Sequence, residues 1–114
     1  MNKSPIPKAA RYINTLIAVA LLGFGAYHYT QPNAAWRSGT IESVTALSLL
    51  VAAYLAPLKA AIIINCVFAG IILALGIRHI AIGGGWVSGS IEEIFAVLLI
   101  ISGVIIYKKG KING

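Results

Sequence analysis

The most constraining feature of this chain is that it repeats. Trp36, Ser38, Gly39, Ile41 and Glu42 recur fifty residues later as Trp86, Ser88, Gly89, Ile91 and Glu92. One residue out of phase, Asn14, Ala18, Leu22, Gly25 and His28 match Asn65, Ala69, Leu73, Gly76 and His79. Within each copy the shared small and polar residues fall at i, i+4, i+11 and i+14, which lines them along one stripe of a single helix. Each copy therefore opens with a helix carrying Asn near one end and His near the other. At 1.5 Å per residue those two side chains stand about 21 Å apart, close to opposite edges of a hydrocarbon layer about 30 Å thick. Tandem copies of this kind predict stacked or pseudo-symmetric units.

The setting of those units follows from composition. Apolar residues make up 59% of the chain and charged residues 11%, values outside the range of an ordinary soluble domain. Four apolar runs are readable: Arg11 to Tyr29, Thr40 to Ala56, Leu58 to Ile82, and Ser90 to Tyr107. The second and fourth are close to the lower length limit for spanning. Gln31, Pro32 and Asn33 end the first run, Pro57 makes a tight joint between the second and third, and Gly83, Gly84 and Gly85 end the third. The expected fold is all-α and integral to the membrane: four transmembrane helices in two tandem hairpins, related by a pseudo-twofold axis along the membrane normal. The chain reads as a single membrane domain, 1–114, with repeat units 11–59 and 62–109.

Termini follow from charge. Lys3, Lys8, Arg11, Lys59, Lys108, Lys109 and Lys111 fall on one side, against Arg37 and Arg78 on the other. The positive-inside rule then makes both termini cytoplasmic, and cation-rich ends without a targeting segment fit a bacterial or archaeal cytoplasmic membrane. The net charge of +6 reads as topology and anionic-lipid contact. Nucleic-acid binding is excluded, since no soluble segment could build a folded basic surface. Trp36 and Trp86 take matching interfacial anchor positions. Thr40 and Ser90 read as N-caps of the even helices, and Ser90 with Glu93 has capping-box spacing, which would put Glu42 and Glu92 in a first turn at the interface.

A pseudo-dyad brings like residues together. His28, His79, Glu42 and Glu92 would converge near the outer mouth of the bundle, with Glu93, Arg37 and Arg78 at its rim. That cluster has the chemistry of a proton or cation relay, or of a metal site with His28 and His79 as ligands. Gly25 and Gly76, one turn before the histidines, suggest room for haem between two imidazoles. Arg78 is a candidate partner for Glu92 or Glu93. Asn14 and Asn65 should face inward and bond to each other, because an unpaired amide in hydrocarbon costs several kcal/mol. Thr15, Ser43, Thr45 and Ser48 are candidates to extend a polar route in the first repeat. The lone Cys66 permits no intrachain disulfide. The chain has no Asp, so no Ser-His-Asp triad exists, and the glycine run lacks the following Lys of a phosphate loop.

Three functions fit these residues. The first expectation is an accessory or structural membrane subunit, working through contacts with lipid, with a second copy of itself, or with another membrane protein, and needing no cofactor. The second is a small transporter or channel component for protons, cations or a small polar solute. The third is a metal- or haem-binding membrane protein. No enzymatic constellation is visible.

Overall fold

The computed structural model describes residues 6–32, 36–81 and 86–113. They form four helices: α1 (Lys8–Tyr29), α2 (Trp36–Tyr54), α3 (Leu58–Ala81) and α4 (Trp86–Asn113). Three of them, α1, α3 and the Trp86–Lys109 part of α4, are long and apolar enough to cross a membrane. α2 is less apolar because it carries Ser38, Thr40, Glu42, Ser43, Thr45 and Ser48. Two of its hydroxyls bond within the helix, Thr40 Oγ1 to the Trp36 carbonyl and Ser48 Oγ to the Val44 carbonyl, so they need no outside partner.

The chain breaks follow local chemistry. α1 starts after Pro7, whose carbonyl accepts the Arg11 N–H. It ends at Thr30, where the Thr30 hydroxyl and N–H both donate to the Tyr27 carbonyl. Pro57 separates α2 from α3, as expected from its lack of an N–H. Asn33 and the run Gly83, Gly84 and Gly85 lie outside the described residues.

Expected and observed helices differ at the end of α4, which runs past Tyr107 to Asn113 and is not short, and at the starts of α2 and α4. Both begin at tryptophan, a turn earlier than the Thr40 and Ser90 capping positions, which are therefore interior. The reason is tertiary: Gly39 and Gly89 pack on the preceding helices, and that contact keeps the extra turn helical. The capping box is overturned with them. Neither Glu42 nor Glu92 stands in a first turn, so a role as a helix-dipole partner is overturned as well.

α1 packs mainly along α2 and α3 along α4, while narrower seams join α1 to α4 and α2 to α3. α1 and α3 thus stand at opposite corners of the bundle. One apolar core layer contains Ile17, Leu21, Leu49, Ile72, Leu75 and Leu99; a second contains Ile6, Ala10, Ala52, Ala53, Ala61 and Ile106. Alanines let the backbones approach closely there, as small residues do in lipid. Above the first layer the helices touch through glycine. A Cβ on Gly25 would stand 3.0 Å from the Gly39 carbonyl oxygen, and one on Gly76 would stand 2.8 Å from that of Gly89.

Candidate functional site

Those glycine contacts position the site. Three residues beyond each odd-helix glycine comes a histidine, and three beyond each even-helix glycine comes a glutamate, so closing the backbones brings His and Glu together. His28 Nδ1 lies 2.6 Å from Glu42 Oε1, and His79 Nδ1 lies 2.7 Å from Glu92 Oε1. The two imidazoles face each other across the bundle with ring centroids 5.4 Å apart. Both glutamates are fully buried, and the two carboxyl groups interact electrostatically with each other. Each has one oxygen committed to histidine and one, Oε2, without a hydrogen-bond partner among the described residues. Both glutamates point between the helices, an extra turn in from the helix starts at Trp36 and Trp86.

One further contact ties the pairs together. Ser38 Oγ lies 3.1 Å from His79 Nε2. Glu92 at Nδ1 and Ser38 at Nε2 together engage both ring nitrogens of His79 and so hold its ring plane. In the sequence Ser38 stands out only as part of the repeated Trp-x-Ser-Gly run; nothing in its type announces a contact to the histidine of the other copy.

Thr45 lies one turn further along α2 from Glu42, buried, its hydroxyl without a hydrogen-bond partner among the described residues. Beyond it the apolar layer of Leu21, Leu49, Ile72 and Leu99 closes the interior. On the far side stands a second polar group. Asn14 Nδ2 donates to Asn65 Oδ1 at 2.8 Å, and Asn65 Nδ2 donates to Asn14 Oδ1 at 3.0 Å. Each amide also donates to a carbonyl, Asn14 to Leu49 and Asn65 to Leu99, at 3.3 Å. Ser102 completes the group with a 2.7 Å bond to Asn14 Oδ1. Ser102 replaces the alanine at the matching position of the first repeat, Ala52, and that departure is its only signal in the sequence.

A buried group this interlinked should show coupling. Asn14→Leu leaves Asn65 and Ser102 short of partners and is expected to lower stability by about 1–3 kcal/mol. In a cycle with Asn65→Leu, the double variant should recover about 1 kcal/mol of the summed losses. Reversible unfolding in mixed micelles measures both, and simple additivity would contradict a reciprocal pair.

Other candidates do not join either group. Arg37 and Arg78 are exposed and make no ion pair among the described residues, and Glu93 lies partly buried beside Gly76, outside the paired cluster. Trp36 and Trp86 are exposed at the same end of the bundle as the histidines. Of the hydroxyls expected along a route, only Thr45 is buried: Thr15 bonds to the Arg11 carbonyl and to Tyr54, Ser48 bonds within its own helix, and Ser43 packs at Gly25.

The cofactor readings meet this geometry poorly. The faces of Gly25 and Gly76 are filled by the backbones of Gly39 and Gly89, which leaves no space for a porphyrin. No group of three or more His, Cys, Asp or Glu side chains among the described residues is disposed to hold a metal ion. The donors point in His–Glu pairs, with each Nδ1 committed to a carboxylate. No family model matches the chain, and no curated protein or solved structure is significantly similar to it.

Proposed function

We propose that this protein is a small membrane transport component that takes up and releases protons at its paired His–Glu cluster. The observation that carries the reading is the complete burial of two glutamates, each bonded to a histidine and set against the other. A purely structural site gains little from that arrangement. Well-packed apolar residues of the same volume hold helices together at least as well as a buried ion pair, and ionisable groups inside a membrane mark proton and ion pathways by default. Imidazole suits the task because its charge changes near neutral pH.

In this reading all four helices span the bilayer, as two tandem hairpins about a pseudo-twofold axis along the normal, with both termini cytoplasmic. Support comes from the like-with-like contacts of Asn14 with Asn65 and His28 with His79, and from the uneven distribution of basic residues. The cluster then opens toward the outer side through Ser38. The leucine and isoleucine layer keeps it apart from the asparagine group, which makes this an occluded form, and transport requires that layer to part. A bacterial or archaeal inner membrane and a homo-oligomer, or assembly with a second membrane protein, fit the same picture.

Proteoliposomes with an imposed pH gradient test it. Wild-type protein is expected to collapse the gradient faster than protein-free vesicles, and His28→Ala/His79→Ala to remove most of that excess. Equal flux in the double variant would overturn the role of the cluster. No wild-type flux above the empty vesicles would overturn transport and favour the accessory reading, in which the chain acts only by contact with lipid or another membrane protein.

A further inference from the structure

At the opposite end of the bundle, away from the histidines, a partly open cavity of about 210 Å³ is lined by Lys8, Arg11, Tyr12 and Tyr54. Its walls are built, not incidental. Thr15 donates its hydroxyl hydrogen to the Arg11 carbonyl at 2.7 Å, so the 2.9 Å contact between Thr15 and Tyr54 is a donation from the tyrosine. That bond pins the Tyr54 ring beside the first turns of α1. Arg11 is half-buried against it, and the Lys8 ammonium lies 6.0 Å from the centre of the Tyr12 ring.

Two facts point to what the cavity takes. The first is that its cations have no acidic side chain as counter-ion. The only acidic side chains of the chain are Glu42, Glu92 and Glu93, and all three belong to the far end of the bundle. Lys8 and Arg11 also stand in the first turn of α1, against the helix dipole, with no acid in that turn. No acidic side chain of the chain stands at this end to balance them, which leaves the cavity suited to an anion.

The second fact is that the repeat is broken along this cavity. The positions matching Arg11, Tyr12, Thr15 and Tyr54 in the second copy are Ile62, Ile63, Cys66 and Val104; Lys8 alone keeps its match, Lys59. The second hairpin shows that the same fold is made with a plain apolar face at this height. The polar set is therefore not needed for helix packing.

The geometry points to a binding site for a phosphate group in this cavity, most simply the phosphodiester headgroup of an anionic lipid. Arg11 offers a planar fork suited to two phosphate oxygens. Lys8 supplies a mobile point charge, and the Tyr12 hydroxyl has no partner among the described residues and is free to donate. Tyrosine rings at the same level suit the boundary between headgroups and acyl chains. This inference does not depend on the proton-handling role of the distant cluster.

Native mass spectrometry on protein extracted with phosphatidylglycerol and phosphatidylcholine tests it. Wild-type protein is expected to retain one phosphatidylglycerol in preference to phosphatidylcholine. Arg11→Ile/Tyr12→Ile/Tyr54→Val, which writes the second repeat into the first, should weaken that retention about tenfold. The single change Arg11→Gln, at a half-exposed position that leaves the packing intact, should weaken it several-fold on its own. Lys108→Gln/Lys109→Gln removes two charges from the same end away from the cavity and should leave retention unchanged. Loss in that control equal to the loss in the triple variant would reduce the effect to diffuse surface charge and overturn the site, as would undiminished retention in both cavity variants. Added inorganic phosphate separates the sources: displacement of the lipid assigns the cavity to the phosphate group itself, and retention against it assigns the cavity to the headgroup together with its chains.

Discussion

Gly76→Val is expected to be among the most destabilising single substitutions in this protein. A Cβ at that position would stand 2.8 Å from the Gly89 carbonyl oxygen and 3.3 Å from the Glu92 Cβ. The first of these neighbours is backbone, which cannot rotate away, so α3 and α4 have to separate. Overpacking of a well-filled interface costs about 1–3 kcal/mol, and a clash with main chain belongs at the upper end of that range or beyond it. Separation also removes the approach that puts His79 Nδ1 2.7 Å from Glu92 Oε1. Gly23 is the built-in control, because a Cβ there meets nothing within 4 Å. Gly23→Ala should be neutral or stabilising by about 0.5–1 kcal/mol, since glycine is the poorer helix former. Unfolding titrations of the two variants side by side make the comparison. Equal effects would mean that the glycine contacts do not hold the hairpin.

Much of this arrangement is legible in the repeat itself. Matched asparagines, histidines and glutamates on one stripe per helix require like residues to approach one another wherever the copies pack side by side. The inward asparagines follow from the cost of burying an unpaired amide. Packing decides the rest. Thr40 and Ser90 have the chemistry of N-caps, yet Gly39 and Gly89 just before them make close contacts with the backbones of the preceding helices, and that approach extends both helices back to tryptophan. The earlier starts take Glu42 and Glu92 out of the first turn, and the same glycine contacts leave both fully buried beside the histidines. Ser38 and Ser102 are illegible in the sequence for a related reason. A serine on a helix usually bonds within its own helix or faces outward, and only the positions of neighbouring helices aim these two at His79 and Asn14.

The same burial separates a scaffold from a working site. Glu92→Ala removes the acceptor from a buried pair and leaves His79 facing a void beside Glu42 and His28. Breaking a buried pair on one side costs about 3–5 kcal/mol, and a marked loss of stability is expected here. Replacing both members, His79→Leu/Glu92→Leu, deletes the polar groups together and fills the space with side chains of comparable volume. That double variant should recover most of the lost stability, because exchanging a buried ion pair for packed apolar residues is often neutral or stabilising by about 1–4 kcal/mol. A protein selected only for helix association would lose nothing by the exchange, and its copurification with lipid or partner would persist. Loss of proton flux in a variant that unfolds no more readily than the parent assigns the pair to transport. Unchanged flux in that stable variant would show that the buried glutamate and histidine are packing elements after all, since no difference in folding would be left to account for the result.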